Sequence, residues 1–99
     1  MAIAVELRFP NATLEQYDQM LQKAGLHGSA TGPPGLVFHW VAQDGDAVYA
    51  VDVWESREAF DAYAQEHLVP IAREVGIVGM EGRPEARFYD VHNTLSAAG

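Results

Sequence analysis

The chain has 99 residues, no cysteine, and fourteen acidic against six basic side chains, for a net charge of −8. The length suits one domain over residues 1–99, and the lack of thiols excludes disulfides, zinc–thiolate centres and thiol nucleophiles. The six bases (Arg8, Lys23, Arg57, Arg73, Arg83 and Arg87) are scattered, so no basic stripe exists for nucleic acid or for an anionic membrane. Hydrophobic residues make up 48% of the chain, which is globular composition. No apolar run approaches the roughly 20 residues of a membrane span. The opening MAIAVELRF lacks a basic leader and reads as a strand, so a cytoplasmic protein is expected.

In chain order, residues 2–9 alternate, with Ile3, Val5, Leu7 and Phe9 on one face and Glu6 and Arg8 on the other. That period of two predicts a first strand. Thr13 with Gln16 makes a capping box, Leu14, Tyr17, Leu21 and Ala24 form an apolar helical stripe, and Gly25 stops the helix. Residues 25–35, GLHGSATGPPG, form a loop, read either as a rim over a site or as a surface connection. Residues 36–42 make a second strand. A turn over 43–46 with Asp44-Gly45 at its centre leads into a third strand, 48–54. Ser56 caps a second helix whose apolar face carries Phe60, Tyr63, Ala64, His67, Leu68, Ile71, Ala72 and Val75. Pro70 falls inside this pattern and is expected to kink it or end its first part. Residues 76–85 read as a loop with an extended piece at Ile77-Val78, and 86–95 as the last strand.

The order βαββαβ predicts an α+β, ferredoxin-like antiparallel sheet with two helices on one face. Alternation assigns Ile3/Val5/Leu7, Phe38/Trp40, Tyr49/Val51/Val53 and Tyr89/Val91 to the helix side. The opposite face would then hold Glu6, Arg8, His39, Asp52, Trp54, Asp90 and His92. Such a mixed face suits burial against a second copy, where acids, arginine and histidines satisfy one another. A homodimer with a shared barrel is therefore expected.

The run Trp54-x-Ser56, then Ala59-Phe60, Tyr63 and His67, resembles the antibiotic biosynthesis monooxygenase-like family of dimeric α/β barrels. The resemblance implies a pocket between helices and sheet. It also implies a functionally mixed set of relatives: cofactor-free oxygenases, haem-degrading enzymes, isomerases and cyclases. The haem-degrading branch expects an Asn on the first strand and a Trp on the second helix; here the positions hold Glu6 and Tyr63. The related polyketide cyclases pair a Tyr with a His shortly after it, but the residue six beyond Tyr63 is Val69 and the His is at 67.

Tyr63 and His67 stand four apart on one helix face and are the expected catalytic pair, a base and a hydroxyl donor. Tyr17, Phe38, Trp40, Tyr49 and Trp54 are the expected substrate-binding residues for a small, flat, apolar aromatic ligand. Trp40 and Trp54 also suit core packing or a dimer contact, and His67 suits a structural hydrogen bond. His39, His92, Asp52, Asp90 and Glu6 lack the tight spacing of a metal centre and read as paired polar groups. No metal and no cofactor are expected. On the enzyme reading the substrate anion reduces O₂ directly and His67→Ala abolishes turnover; on the alternative, a non-catalytic binding protein, that change lowers only stability.

Overall fold

The computed structural model describes residues 2–28, 31–77 and 85–95. Strand β1 (Ile3–Pro10) leads to helix α1 (Leu14–Ala24), then the hairpin β2 (Leu36–Asp44) and β3 (Ala47–Trp54). A second helical rod follows in three contiguous pieces: α2 (Arg57–Tyr63), a π-helical turn (Ala64–Leu68) and α3 (Val69–Glu74). Strand β4 (Glu85–Asp90) completes an antiparallel sheet of order β2-β3-β1-β4. The architecture is the expected α+β, ferredoxin-like one. No helix among the described residues is long and apolar enough to cross a membrane.

Local signals set the element ends. Thr13 caps α1 with both halves of the capping box, accepting from Gln16 N–H and receiving the Gln16 side chain on its own N–H. Gly25 ends the helix in the left-handed conformation at φ 74°, where a side chain would be strained. Ser56 accepts from Ala59 N–H at 3.1 Å and opens α2. The turn is centred on Gly45-Asp46, one residue later than expected, because Asp44 still pairs with Ala47. Strand β4 ends at Asp90, five residues before the expected boundary. Asp90 faces Ile3 and Val91 N–H donates to the Ala2 carbonyl; there β1 runs out, and with it the pairing partner. The extended piece expected at Ile77-Val78 lies partly in residues 78–84, outside the described residues.

Pro70 neither ends nor interrupts the second rod. Backbone angles stay right-handed helical through Tyr63, Ala64, Leu68 and Val69. Val69 N–H donates five residues back to the Ala64 carbonyl. A proline lacks a donor and its ring crowds the carbonyl four residues earlier. The wider π turn accommodates both within a continuous helix.

The register corrects the expected sheet faces. Directly opposed residues of a sheet point the same way. Val5 faces Asp52 on β3 and Phe88 on β4, and Ile3 faces Trp54 and Asp90. Asp52, Trp54 and, through its pairing with Asp52, His39 therefore lie on the helix side with Ile3, Val5 and Leu7. Phe38, Trp40, Tyr49, Val51, Val53 and Tyr89 share the outer face with Glu6 and Arg8. The expected phase within the β2–β3 hairpin is kept, while β1 is one residue out of phase with the other three strands. A slip of one exchanges the faces.

The core joins Ile3, Val5, Leu7 and Phe9 to Val48, Ala50 and Trp54, and takes Met20, Phe60 and Ala72 from the helices. Outside, Tyr49 Oη–H donates to Glu6 (2.8 Å) and Arg8 bonds Asp44 (2.7 Å). The outer face also leaves aromatics in solvent, with Phe38, Trp40 and Tyr89 exposed by 62%, 43% and 46%.

Candidate active site

Between the helix side of the sheet and the helices lies a cavity of about 350 Å³. Its walls are largely apolar, from residues such as Leu7, Phe9, Met20, Val48 and Ile71. Thr31, Gly32 and Pro33, from the loop after α1, also line it.

A line of hydrogen-bonded side chains from α1, β2 and β3 crosses this apolar space. Trp54 Nε1–H donates to Asp52 Oδ2 at 3.1 Å. Asp52 Oδ1 is 2.5 Å from His39 Nδ1, and His39 Nε2 is 2.6 Å from the Tyr17 hydroxyl. Exposure rises along the line, from 1% at Trp54 and 7% at Asp52 to 28% for the His39 side chain. The Tyr17 and His39 ring planes are only 20° apart.

Proton positions follow from the chemistry of the partners. Burial first, then the nearby Asp52, Asp18 and Tyr63, push the Tyr17 phenol up to about 12. Tyr17 therefore keeps its proton at neutral pH and can donate it to His39 Nε2. His39 in turn holds its own proton on Nδ1 and donates to Asp52. Burial and then Asp52 also raise the Tyr63 phenol. Both phenols favour the protonated folded state, so their contribution is fully present below the ordinary tyrosine value and is lost as pH rises through their folded values. The urea midpoint is expected to fall as pH is raised from about 10 toward 12, and the Tyr17→Phe protein to show a shallower fall. Equal slopes would contradict this.

The structure brings Tyr17, Trp54 and Tyr63 to the cavity, with Phe38 at its edge. Trp40 and Tyr49 are not among its lining residues; they meet edge-on at 5.6 Å between ring centroids on the outer face. His67 is also outside the lining, with its side chain 55% exposed and its ring tilted by 36° against Tyr63 at 5.4 Å between centroids. The π turn is the reason. In an α-helix residues four apart share a face, but a five-residue turn aligns Tyr63 with Leu68, and these two line the cavity.

His39 and Asp52 were expected only as paired polar groups; they pair here within the chain, on the helix side. Their juxtaposition was readable from the hairpin. With Gly45-Asp46 as the turn, Asp44 opposes Ala47, and counting outward sets His39 against Asp52. Among the described residues no group of three or more His, Cys, Asp or Glu side chains could hold a metal ion.

The fold matches those of solved antibiotic biosynthesis monooxygenase-like proteins. SnoaB, a cofactor-independent oxygenase from Streptomyces nogalater, superposes with a TM-score of 0.61 at 20% identity, over 97% of this chain and 98% of that one. The monooxygenase from the gene ActVA-Orf6 of Streptomyces coelicolor, solved with the ligand Nanaomycin D, gives 0.56 at 21% identity over 98% and 92%. A proposed antibiotic biosynthesis monooxygenase from Chloroflexus aurantiacus gives 0.54 at 21% over 100% and 98%. No family model and no curated protein sequence matches the chain.

Proposed function

We propose that this protein is a homodimeric enzyme that deprotonates a flat, largely apolar hydroxyaromatic or polyketide-like molecule in the cavity and lets the resulting anion react with O₂ without a cofactor. The observation that carries this reading is the Tyr17–His39–Asp52 line set into an otherwise apolar cavity. A histidine oriented by a buried carboxylate is placed to take up a proton and to hold the resulting charge against that carboxylate. The fold shared with a cofactor-independent oxygenase supports the second half. For a ring CH₂ between aromatic groups the balance closes: one oxygen atom becomes the new carbonyl and the other leaves as water with both hydrogens.

His39 is the base in this scheme. Trp54 flanks the substrate, and Tyr63 offers a second hydroxyl to its oxygen. His67 steadies Tyr63 from outside through its tilted ring contact. The exposed aromatics of the outer face, Phe38, Trp40 and Tyr89, belong to the dimer, in which two sheets cover one another.

The test is oxygen uptake by the purified protein with a panel of naphthols and anthrones, alongside a native mass spectrum. Oxygen consumption matched by product, from a dimer, is the expected result. Binding of these compounds with no oxygen consumed would leave a binding protein, and a monomer would remove the dimer.

A further inference from the structure

Both ring nitrogens of His39 are already engaged, Nδ1 by Asp52 and Nε2 by the Tyr17 hydroxyl. A substrate proton therefore has no free nitrogen to reach. His39 and Tyr17 both line the cavity, and the partner that occupies His39 Nε2 there is the Tyr17 oxygen. We infer that Tyr17 is the catalytic residue that meets the substrate, its oxygen taking the substrate proton while its own proton passes to His39 Nε2. This rests on the base-driven reading above and assigns the contact within it.

The step balances. The substrate O–H breaks as a new Tyr17 O–H forms; the old Tyr17 O–H breaks as the His39 Nε2–H forms. The products are a substrate anion, a neutral tyrosine and an imidazolium held against Asp52. Tyr17 resists ionisation because it is buried beside Asp52, with Asp18 and Tyr63 near. The two transfers therefore occur together, without a free tyrosinate. A phenol hydroxyl both donates and accepts, which a relay of this kind requires. The 2.6 Å separation keeps the Tyr17 oxygen and His39 Nε2 within hydrogen-bond reach.

The probe is a set of nitrophenols of graded acidity, whose phenolate band reports the ionised fraction of the bound molecule. At about one pH unit below each probe's own pKa, the native protein is expected to hold the bound probe about tenfold more ionised than the Tyr17→Phe protein does. Tyr17→Phe keeps the ring and so keeps binding; His39→Gln is expected to bind the probe neutral as well. If Tyr17→Phe ionises the probe as fully as the native protein, the relay is overturned while His39 stands as a direct base. If the native protein binds every probe only neutral, or binds none, the relay and the base-driven reading both fall.

Discussion

Replacing Asp52 by asparagine is expected to lower turnover by about two to four orders of magnitude with little change in KM. Asp52 accepts two hydrogen bonds, from Trp54 Nε1–H at one oxygen and from His39 Nδ1–H at the other. Asparagine keeps one oxygen and turns the other position into a donor. The indole can only donate, so the amide oxygen goes to Trp54 and the NH₂ faces His39. The imidazole must then accept on Nδ1, and its proton moves to Nε2. That nitrogen now donates to the Tyr17 oxygen and can take no proton. Size and shape are unchanged, so a lost rate would reflect the tautomer. Steady-state kinetics with nitrogen shifts of the His39 ring check this; a wild-type rate with the proton on Nε2 would contradict it.

The Trp54→Ala protein is expected to lose about 3–5 kcal/mol of stability. Trp54 is 1% exposed, packs its ring against Phe60 at 5.9 Å and Tyr63 at 5.5 Å, and satisfies one oxygen of Asp52. The loop before β2 is built around it. At Gly35, with φ 90°, an added Cβ would lie 2.8 Å from Ala59 Cβ and 3.6 Å from the indole, so loop, helix and indole meet with no room for a side chain. Removing the indole opens a void and leaves a buried carboxylate oxygen unpaired. Against the roughly 5–15 kcal/mol of a typical domain, that is a large part of the whole. Trp54→Phe keeps most of the packing and is expected to cost less. Urea unfolding of both separates packing from the hydrogen bond; a loss below about 1 kcal/mol for alanine would remove Trp54 from the core.

The element order was legible because it rests on local chemistry: the Thr13–Gln16 box, the Gly25 stop, the Ser56 cap and the change of period after Trp54. The pairing of β1 with β3 was not, since alternation gives each strand two faces but not which face of one strand meets which face of the next. That choice moved His39, Asp52 and Trp54 from a presumed dimer face into the cavity. The candidate site was half visible. Of the residues singled out from the sequence, Tyr17, Trp54 and Tyr63 line the cavity. His67 was drawn toward it by a period of 3.6, which the turn ahead of Pro70 does not keep.

That turn also separates the two ends of the rod. A π turn is an α-helix carrying one surplus residue. Upstream, Phe60 and Tyr63 are aimed by one helical phase; downstream, Ile71 and Ala72 are aimed by another. Deleting a residue between Ala64 and Leu68 would restore a single phase, set the Pro70 ring against the preceding turn, and rotate one half relative to the other. Which side chains floor the cavity is thus a matter of chain length at one point as much as of residue identity, and a one-codon change there would redraw the cavity wall without altering any side chain that lines it.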